Sequence, residues 1–444
     1  MKISIDELIQ STGAEIIKKD TEGDFLTEIS TDTRTIKEGD FYLPLKGENF
    51  DGESFLDRAE HAIGCFITKD EYPEFMKVVL KVEDTKIAYL KIAKFIRHKV
   101  NPKVVHITGS SGKTTTKEMV YSVLKEKYNT VKTFSNHNNE IGFCQTVLSM
   151  DNNCEALVVE TGMRGLGEIE LVSRYLNPDI AIITNAGSAH IGRLKSLDNI
   201  AIAKCEITSN LKSDGLLIAN DSERLRKFAK FKGDKIFYSI KDAKILEMRV
   251  KYTKFEYKNN IYELNTDGNY NVENSLSAIE AGIRLGLTYE EISKGLLNYK
   301  PIEKRWEEVE ICGYKIINDS YNANPDSMKV SVETFLNLYK NPLVILGDMG
   351  ELGENEIELH KEVGKFIAQK NFKNAKYLFI GDLAKYIEEE LKIKGFDTKI
   401  LNDTIETANY IRDKISKDTT ILLKASRSMK FENIIENLKG ETTI

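Results

Sequence analysis

Two patterns of apolar residues alternate along the chain. Short unbroken apolar runs are followed by longer stretches in which apolar positions recur every three or four residues. The first pattern predicts strands buried on both faces, and the second predicts amphipathic helices. In residues 1 to about 85, Phe41 to Leu45 and Cys65 to Ile67 predict strands and Ser54 to Ala62 a helix. From about 86 to 300, strands are expected at Val104–Thr108, Ala156–Val159, Ile180–Thr184 and Leu216–Ala219. A helix is expected from Lys113 to about Lys127, and another over Asn271–Leu285. Phe255 and Tyr257 on one side of Asn259-Asn260, with Tyr262 and Leu264 on the other, predict a hairpin. From about 301 the alternation restarts, with strands at Lys315–Asn318, Leu343–Leu346, Tyr377–Ile380 and Thr420–Leu423. The pattern predicts an α/β chain of three domains, 1–85, 86–300 and 301–444. The middle one has a mostly parallel sheet and the last is Rossmann-like.

Length agrees with this division, because 444 residues at about 150 per domain make two to four domains. The net charge of −6 comes from Lys and Arg spread along the chain, not gathered in a basic stripe. That argues against a nucleic-acid or anionic-membrane binder. The N-terminal segment lacks an apolar signal-peptide core, and no run reaches the roughly 18 apolar residues of a membrane span. Five scattered cysteines without a C-x-x-C pair predict free, mostly buried thiols, and the expected location is the reducing cytoplasm.

The segment Thr108-Gly109-Ser110-Ser111-Gly112-Lys113-Thr114-Thr115-Thr116 carries the strongest chemical signal. It follows a predicted strand and opens a predicted helix, where backbone N–H groups and the helix dipole favour an anion. Lys113 is suited to the β- and γ-phosphates of a nucleotide, and the Thr114 hydroxyl to Mg²⁺. The spacing is one loop shorter than G-x-x-x-x-G-K-[ST], since Ile107 stands where the first Gly would fall. The competing reading is a Gly/Ser turn that caps a helix. Glu160 ends a neighbouring strand at the same sheet edge and is suited to the same Mg²⁺, against the alternative of a solvated strand end. His190, after the loop Asn185–Ala189, reads first as a hydrogen-bonding residue and second as a ligand. On pattern alone Lys204 is a surface lysine on a helix.

Taken together and in order, these segments resemble the Mur ligase family, ATP-dependent enzymes that join a carboxylate to an amine. Its short phosphate loop is similar to 108–115, its T-N-x-x-x-x-H segment to Thr184-Asn185 with His190, and its lysine segment to Ala203-Lys204-x-Glu206-Ile207. Its H-N-x-x-N element resembles Tyr270-Asn271-Val272-Glu273-Asn274, and its G-R-x arginine resembles Lys304-Arg305-Trp306. Asp319-Ser320-Tyr321-Asn322-Ala323-Asn324-Pro325 resembles its nucleotide contact D-S-Y-N-A-N-P. Tyr270 stands where the family often has His, and Lys304 where it often has Gly. The resemblance runs from about Asp32 to about Asn433. The segments 319–328, 346–353 with His360 beyond, and 424–429 look like the branch that adds D-alanyl-D-alanine to a UDP-linked muramoyl peptide. Ser30–Arg34 and Leu45–Asp51 resemble its uridine-nucleotide-binding domain.

The resemblance implies roles. ATP lies on Gly109, Ser110, Ser111, Gly112, Lys113, Thr114 and Thr115, and its adenosine end on Asn271, Asn274, Asp319 and Asn322. Arg305 and Lys113 neutralise the phosphates. Thr114 and Glu160 hold one Mg²⁺; His190 and Lys204 hold a second, Lys204 as a carbamate formed with CO₂. Thr33, Arg34, Lys46, Asn49, Asn138, Asn139, Asn324, Ser426 and Arg427 contact the substrates, UDP-N-acetylmuramoyl-tripeptide and D-alanyl-D-alanine. A monomer is expected. Two rival readings stand beside this one: the same chemistry with another amino acid, and a nucleotide-gated binding protein that does not ligate.

Overall fold

A computed structural model describes residues 1–21, 26–47, 49–301 and 304–440. Glu48, within the uridine-type segment 45–51, lies outside the described residues. Three sheets, one in each third of the chain, carry the architecture. The middle one has six strands, all parallel, in the order Thr130–Lys132, Ala156–Glu160, Lys103–Thr108, Ile180–Ile183, Leu216–Asn220, Asp234–Tyr238. Its inner strands are mostly apolar because both faces are covered, with polar residues chiefly at their ends. Side chains alternate across the sheet. Val105, Ile107, Val158 and Ile182 face a core that includes the helices Lys113–Leu124 and Asn269–Arg284. Val104, Leu157 and Val159 face the opposite core.

That opposite core is shared with the N-terminal sheet, which has the order Glu15–Lys19, Val78–Lys81, Gly64–Ile67, Phe41–Tyr42, Ile29–Ser30. Phe41, Phe66 and Leu80 pack with Leu90, Ile92 and Ile96 of the helix Thr85–Val100 in the same cluster as Leu157. Asp84 caps this helix by accepting from Ile87 N, and Asn101 closes it in the left-handed region at φ 53°. The C-terminal sheet runs Glu307–Ile311, Tyr314–Asn318, Thr420–Lys424, Pro342–Gly347, Lys376–Ile380, Asp397–Leu401. Its first pair is antiparallel and the rest parallel.

Several expected elements differ in form. The strand expected over Phe41–Leu45 is only Phe41–Tyr42, since Pro44 has no N–H to donate to a ladder. The helix expected over Ser54–Ala62 is a 3₁₀ segment, Gly52–Arg58, capped by Asp51. The hairpin turn falls on Lys258-Asn259, φ 49° and 61°, one residue earlier than expected, as a two-residue turn with both φ positive demands. The strand Lys244–Arg249 joins that hairpin as a third member. All five cysteines are free; four are buried and Cys312 is exposed. No described helix is long and apolar enough to cross a membrane.

Because one cluster spans the N-terminal and middle sheets, a cavity there should destabilise both. Leu90, with no exposed surface, is the probe. Leu90→Ala is expected to lower the unfolding free energy by about 2–5 kcal/mol in a denaturant titration. Fluorescence and far-UV dichroism should shift together.

Candidate active site

Register decides what meets at the edge of the middle sheet. Ile107 pairs with Glu160, and Thr108 pairs with Ile183. Where the first of these strands ends, the loop 109–112 begins, the Glu160 carboxylate stands on one side, and Thr184-Asn185 stands on the other. Loops leaving the carboxyl ends of parallel strands are where such folds bind ligands.

The loop is held from beneath. Asn185 Oδ1 accepts from Ser110 N (3.2 Å) and Ser111 N (3.0 Å), Asn185 Nδ2 donates to Ser111 Oγ (2.9 Å), and Thr184 Oγ1 donates to Ser111 O (2.6 Å). Thr184-Asn185 thus clamps the loop. A Cβ at Gly109 would sit 1.8 Å from Thr184 Oγ1, so only glycine fits this clamp. Gly112, at φ 75°, lies against the Asn274 side chain and opens the helix Lys113–Leu124 without a side-chain cap. Its first-turn N–H groups are therefore available to an anion. Lys113 folds back, donating to Gly109 O at 2.8 Å, and burial pushes its pKa down.

Glu160 is 2 % exposed. Its Oε1 accepts from Thr114 Oγ1 (3.2 Å) and Asn138 Nδ2 (3.0 Å). Its Oε2 has no hydrogen-bond partner among the described residues; Lys117 Nζ stands 3.8 Å away, donating instead to Thr133 O at 2.9 Å. A buried carboxylate oxygen without a donor is costly unless a cation supplies the missing contact. Thr114 and Glu160 therefore fit Mg²⁺. No three His, Cys, Asp or Glu side chains among the described residues form a metal cluster, so a cation here draws its remaining ligands from phosphate and water.

Lys204 corrects the surface reading. It lies in the helix Leu197–Cys205 with no exposed surface, and its Nζ has no hydrogen-bond partner among the described residues. Burial, reinforced by the Lys113 charge, drives its pKa well below the ordinary lysine value. His190 N-caps the short helix Ile191–Leu194 at φ 65°. Its Nδ1 lies 2.6 Å from Glu351 Oε2 of the C-terminal unit.

The C-terminal unit forms the facing wall. Arg305 stacks on the Tyr321 ring, 4.0 Å to the centroid. Asp319 is held by Lys424 Nζ (2.8 Å) and Ser331 Oγ (2.9 Å), and Lys424 also donates to Asn322 O at 2.9 Å. Asp326 Oδ2 accepts from Ser188 N (2.9 Å) and Oγ (3.0 Å), which ties the two walls together. Lys304 and Trp306 flank Arg305 at φ 59° and 58°. That left-handed backbone is the reason glycine is the common residue where Lys304 stands.

The walls enclose a cavity of about 960 Å³. Ser110 to Thr115, Asn138, Asn139, Glu160, His190, Asn271, Asn274, Arg305, Asp319, Asn322 and Asn324 all line it. Three of these also have local structural jobs. Asn139 and Asn324 cap the helices Glu140–Leu148 and Pro325–Leu338, and Asn271 Nδ2 donates to Asp267 O at 2.7 Å. Gly109 and Lys204 lie behind the wall. Ser426, buried, contacts Ser428, and Arg427 donates to Tyr321 Oη at 3.3 Å outside the lining. Thr33, Arg34, Lys46 and Asn49 sit apart on the N-terminal unit. There Arg34 is pinned to Asp32 (2.6 Å), holding that carboxyl down to about 2. Sequence reasoning missed Lys117, Ser188, Asp326 and Glu351. The spacing of Lys117, one helical turn after Lys113, was the available signal for the first.

Comparison with known proteins agrees with this geometry. Residues 107–282 match the Mur ligase middle domain, and residues 304–427 match the Mur ligase, glutamate ligase domain. A UDP-N-acetylmuramoyl-tripeptide--D-alanyl-D-alanine ligase of Bacillus subtilis is 38% identical over 427 residues, 92% of each chain. The crystal structure of MurF from Acinetobacter baumannii superposes with a TM-score of 0.90 at 26% identity, covering 99% of both chains. That of MurF ligase from Thermotoga maritima in complex with ADP gives 0.84 at 25% identity, covering 94% of this chain and 97% of that one. The chain belongs to the Mur ligase family.

Proposed function

We propose that this ATP-dependent ligase joins the terminal carboxylate of UDP-N-acetylmuramoyl-tripeptide to the amine of D-alanyl-D-alanine in peptidoglycan precursor synthesis. The observation that carries the reading is the single cavity. It sets an uncapped phosphate loop and a carboxylate with a free oxygen against a facing wall of Arg305, Asp319 and Asn322. The Bacillus subtilis relative bears the name of this activity over nearly its whole length.

A carboxylate is a poor electrophile. Transfer of the ATP γ-phosphoryl group to it gives an acyl phosphate with a good leaving group. The obstacle is the approach of two anions. Lys113 and Arg305 neutralise that charge from opposite walls, and preorganised charge of this kind is usually the largest catalytic contribution. Mg²⁺, held by Thr114 and Glu160, supplies further neutralisation of the phosphates when bound. Asn274 and Asp319 hold the nucleoside end, with Lys424 and Ser331 fixing Asp319 in place. The N-terminal unit, residues 1–85, holds the uridine nucleotide through Thr33, Arg34, Lys46 and Asn49. The C-terminal unit, residues 301–444, receives the dipeptide through Asn324, Ser426 and Arg427.

Lys204 acts as a carbamate. The support is physical: an amine reacts with CO₂ only when uncharged, releasing a proton as the N–C bond forms, and burial favours the uncharged form of this one. The product is an anion with two oxygens that a cation can use, where an ammonium would repel it.

Phosphate release from ATP should require both UDP-N-acetylmuramoyl-tripeptide and D-alanyl-D-alanine; release unaffected by omitting the dipeptide would favour the binding-protein reading. Lys113→Ala should keep its dichroism spectrum and lose about 10²–10³-fold in kcat. Lys204→Arg should be inactive, because it keeps a positive charge where an anion is needed. Lys204→Ala should recover part of its rate with added short-chain carboxylates. Isotopically labelled bicarbonate should give the wild-type chain a carbamate resonance that Lys204→Ala lacks, and its absence would return Lys204 to a packing role.

A further inference from the structure

The ligation brings a primary amine to the cavity, and an amine of a small peptide arrives as an ammonium at neutral pH. Something anionic must receive it beside the reacting carboxylate. Seven carboxylates line the cavity, and most are already committed. Glu160 is held by Thr114 and Asn138, and Glu273 accepts from Ile240 N and Asn220. Asp319 is paired with Lys424, and Asp326 takes both donors of Ser188. Glu168 accepts from Arg164 N at 2.8 Å, and Glu140 sits in the first turn of its helix, 3.7 Å from Lys86.

Glu351 differs from all of these. Its carboxylate is about half exposed and has one close contact among the described residues, the His190 ring at 2.6 Å, with the Arg193 and Arg164 charges acting on it from further away. Both ends of that contact are in the left-handed region, Glu351 at φ 61° and His190 at φ 65°. Glutamate seldom adopts that backbone, and strain of this kind survives where the surrounding structure holds it. The surroundings do hold it. Met349 and Leu352 are buried on either side, and Met349 N donates to the buried His360 Nε2 at 3.0 Å. On the other wall Gly192 N donates to Glu351 O, and Gly192 lies so close to Gly353 that a Cβ on either would meet the other's backbone at 2.6 Å. A carboxylate is thus fixed on the C-terminal unit, aimed across the gap at the sheet edge where the phosphate loop ends.

We propose that Glu351 is the receptor for the ammonium of the incoming dipeptide, which replaces the His190 ring as its partner. This rests on the ligation assigned above and adds the residue that selects a free amine. It places the amine nitrogen, which becomes the nucleophile once its ammonium has given up a proton, beside His190 at the edge shared with Lys113 and Glu160. It leaves Asn324, Ser426 and Arg427 for the rest of the dipeptide.

The test uses the full-length chain saturated with UDP-N-acetylmuramoyl-tripeptide and a non-hydrolysable ATP analogue. Calorimetry compares D-alanyl-D-alanine with propionyl-D-alanine, the same molecule without its amine. The wild-type chain should prefer the amine by about 10- to 100-fold, as a charge-assisted hydrogen bond supplies. In Glu351→Gln that preference should collapse, with affinity for propionyl-D-alanine unchanged; Glu351→Asp should keep part of it. A Glu351→Gln chain that still prefers the amine as strongly overturns the proposal. So does one that loses both ligands alike, which would make Glu351 a strut between the walls. Turnover of D-alanyl-D-alanine by the wild-type chain, measured alongside, reports separately on the substrate assignment.

Discussion

The pairing of three parallel strands at one sheet edge sets everything downstream. Ile107 opposite Glu160 and Thr108 opposite Ile183 place a carboxylate within hydrogen-bonding distance of Thr114 at the start of the helix and the Thr184-Asn185 clamp within that distance of the phosphate loop. A slip of one residue in either pairing would turn every side chain to the opposite face. The apolar alternation that buries Val105, Ile107, Val158 and Ile182 on one side therefore also aims the polar ends. Packing and chemistry are specified by the same register, and neither can vary alone.

The site keeps groups that a purely structural interior would pair or replace. Glu160 Oε2 and Lys204 Nζ are buried without a hydrogen-bond partner among the described residues, and leaving such atoms alone costs free energy. One is an anion that a cation can satisfy. The other is an amine whose uncharged form burial favours. Lys117 illustrates the contrast: equally buried, it is satisfied by the carbonyls of Thr133 and Ser135 and by Glu118, so it has the profile of a support.

The inner strands were legible in the sequence because both of their faces are covered and their residues are mostly apolar, His106 being buried within one of them. The edge strands were not. Thr130–Lys132, Asp234–Tyr238 and Glu307–Ile311 carry charged residues that keep an exposed edge from pairing with another chain, and the same charges erase the strand signal. The phosphate loop was legible because its glycines are forced by contact, Gly109 against Thr184 and Gly112 against Asn274. Lys204 was misread on pattern because helical spacing reports which residues share a face and not what covers that face. Only the family resemblance drew attention to it. Asp326 and Glu351 were invisible for a related reason: their significance lies in contacts with Ser188 and His190, 138 and 161 residues away in sequence, and no local pattern encodes those.

A ligase that handles three substrates must admit them and then exclude water, which a single rigid body does poorly. Here the labour is divided between walls. The middle unit supplies cationic Lys113 and the phosphate loop, while the C-terminal unit supplies Arg305, Asp319 and Glu351. The walls touch where glycines leave room, Gly187 for the Asp326 carboxylate and Gly192 for the backbone of Gly353. Near the reacting edge they are joined by polar contacts, Ser188 to Asp326 and His190 to Glu351, by the buried Trp306 Nε1 donating to Asp267 Oδ1 at 2.6 Å, and by Ile191 packed against the C-terminal core. The His190–Glu351 contact, with its carboxylate about half exposed, is weak, on the order of 1 kcal/mol or less. A contact so slight can yield to a substrate that offers either partner something better, while the buried contacts beside it keep the walls in register.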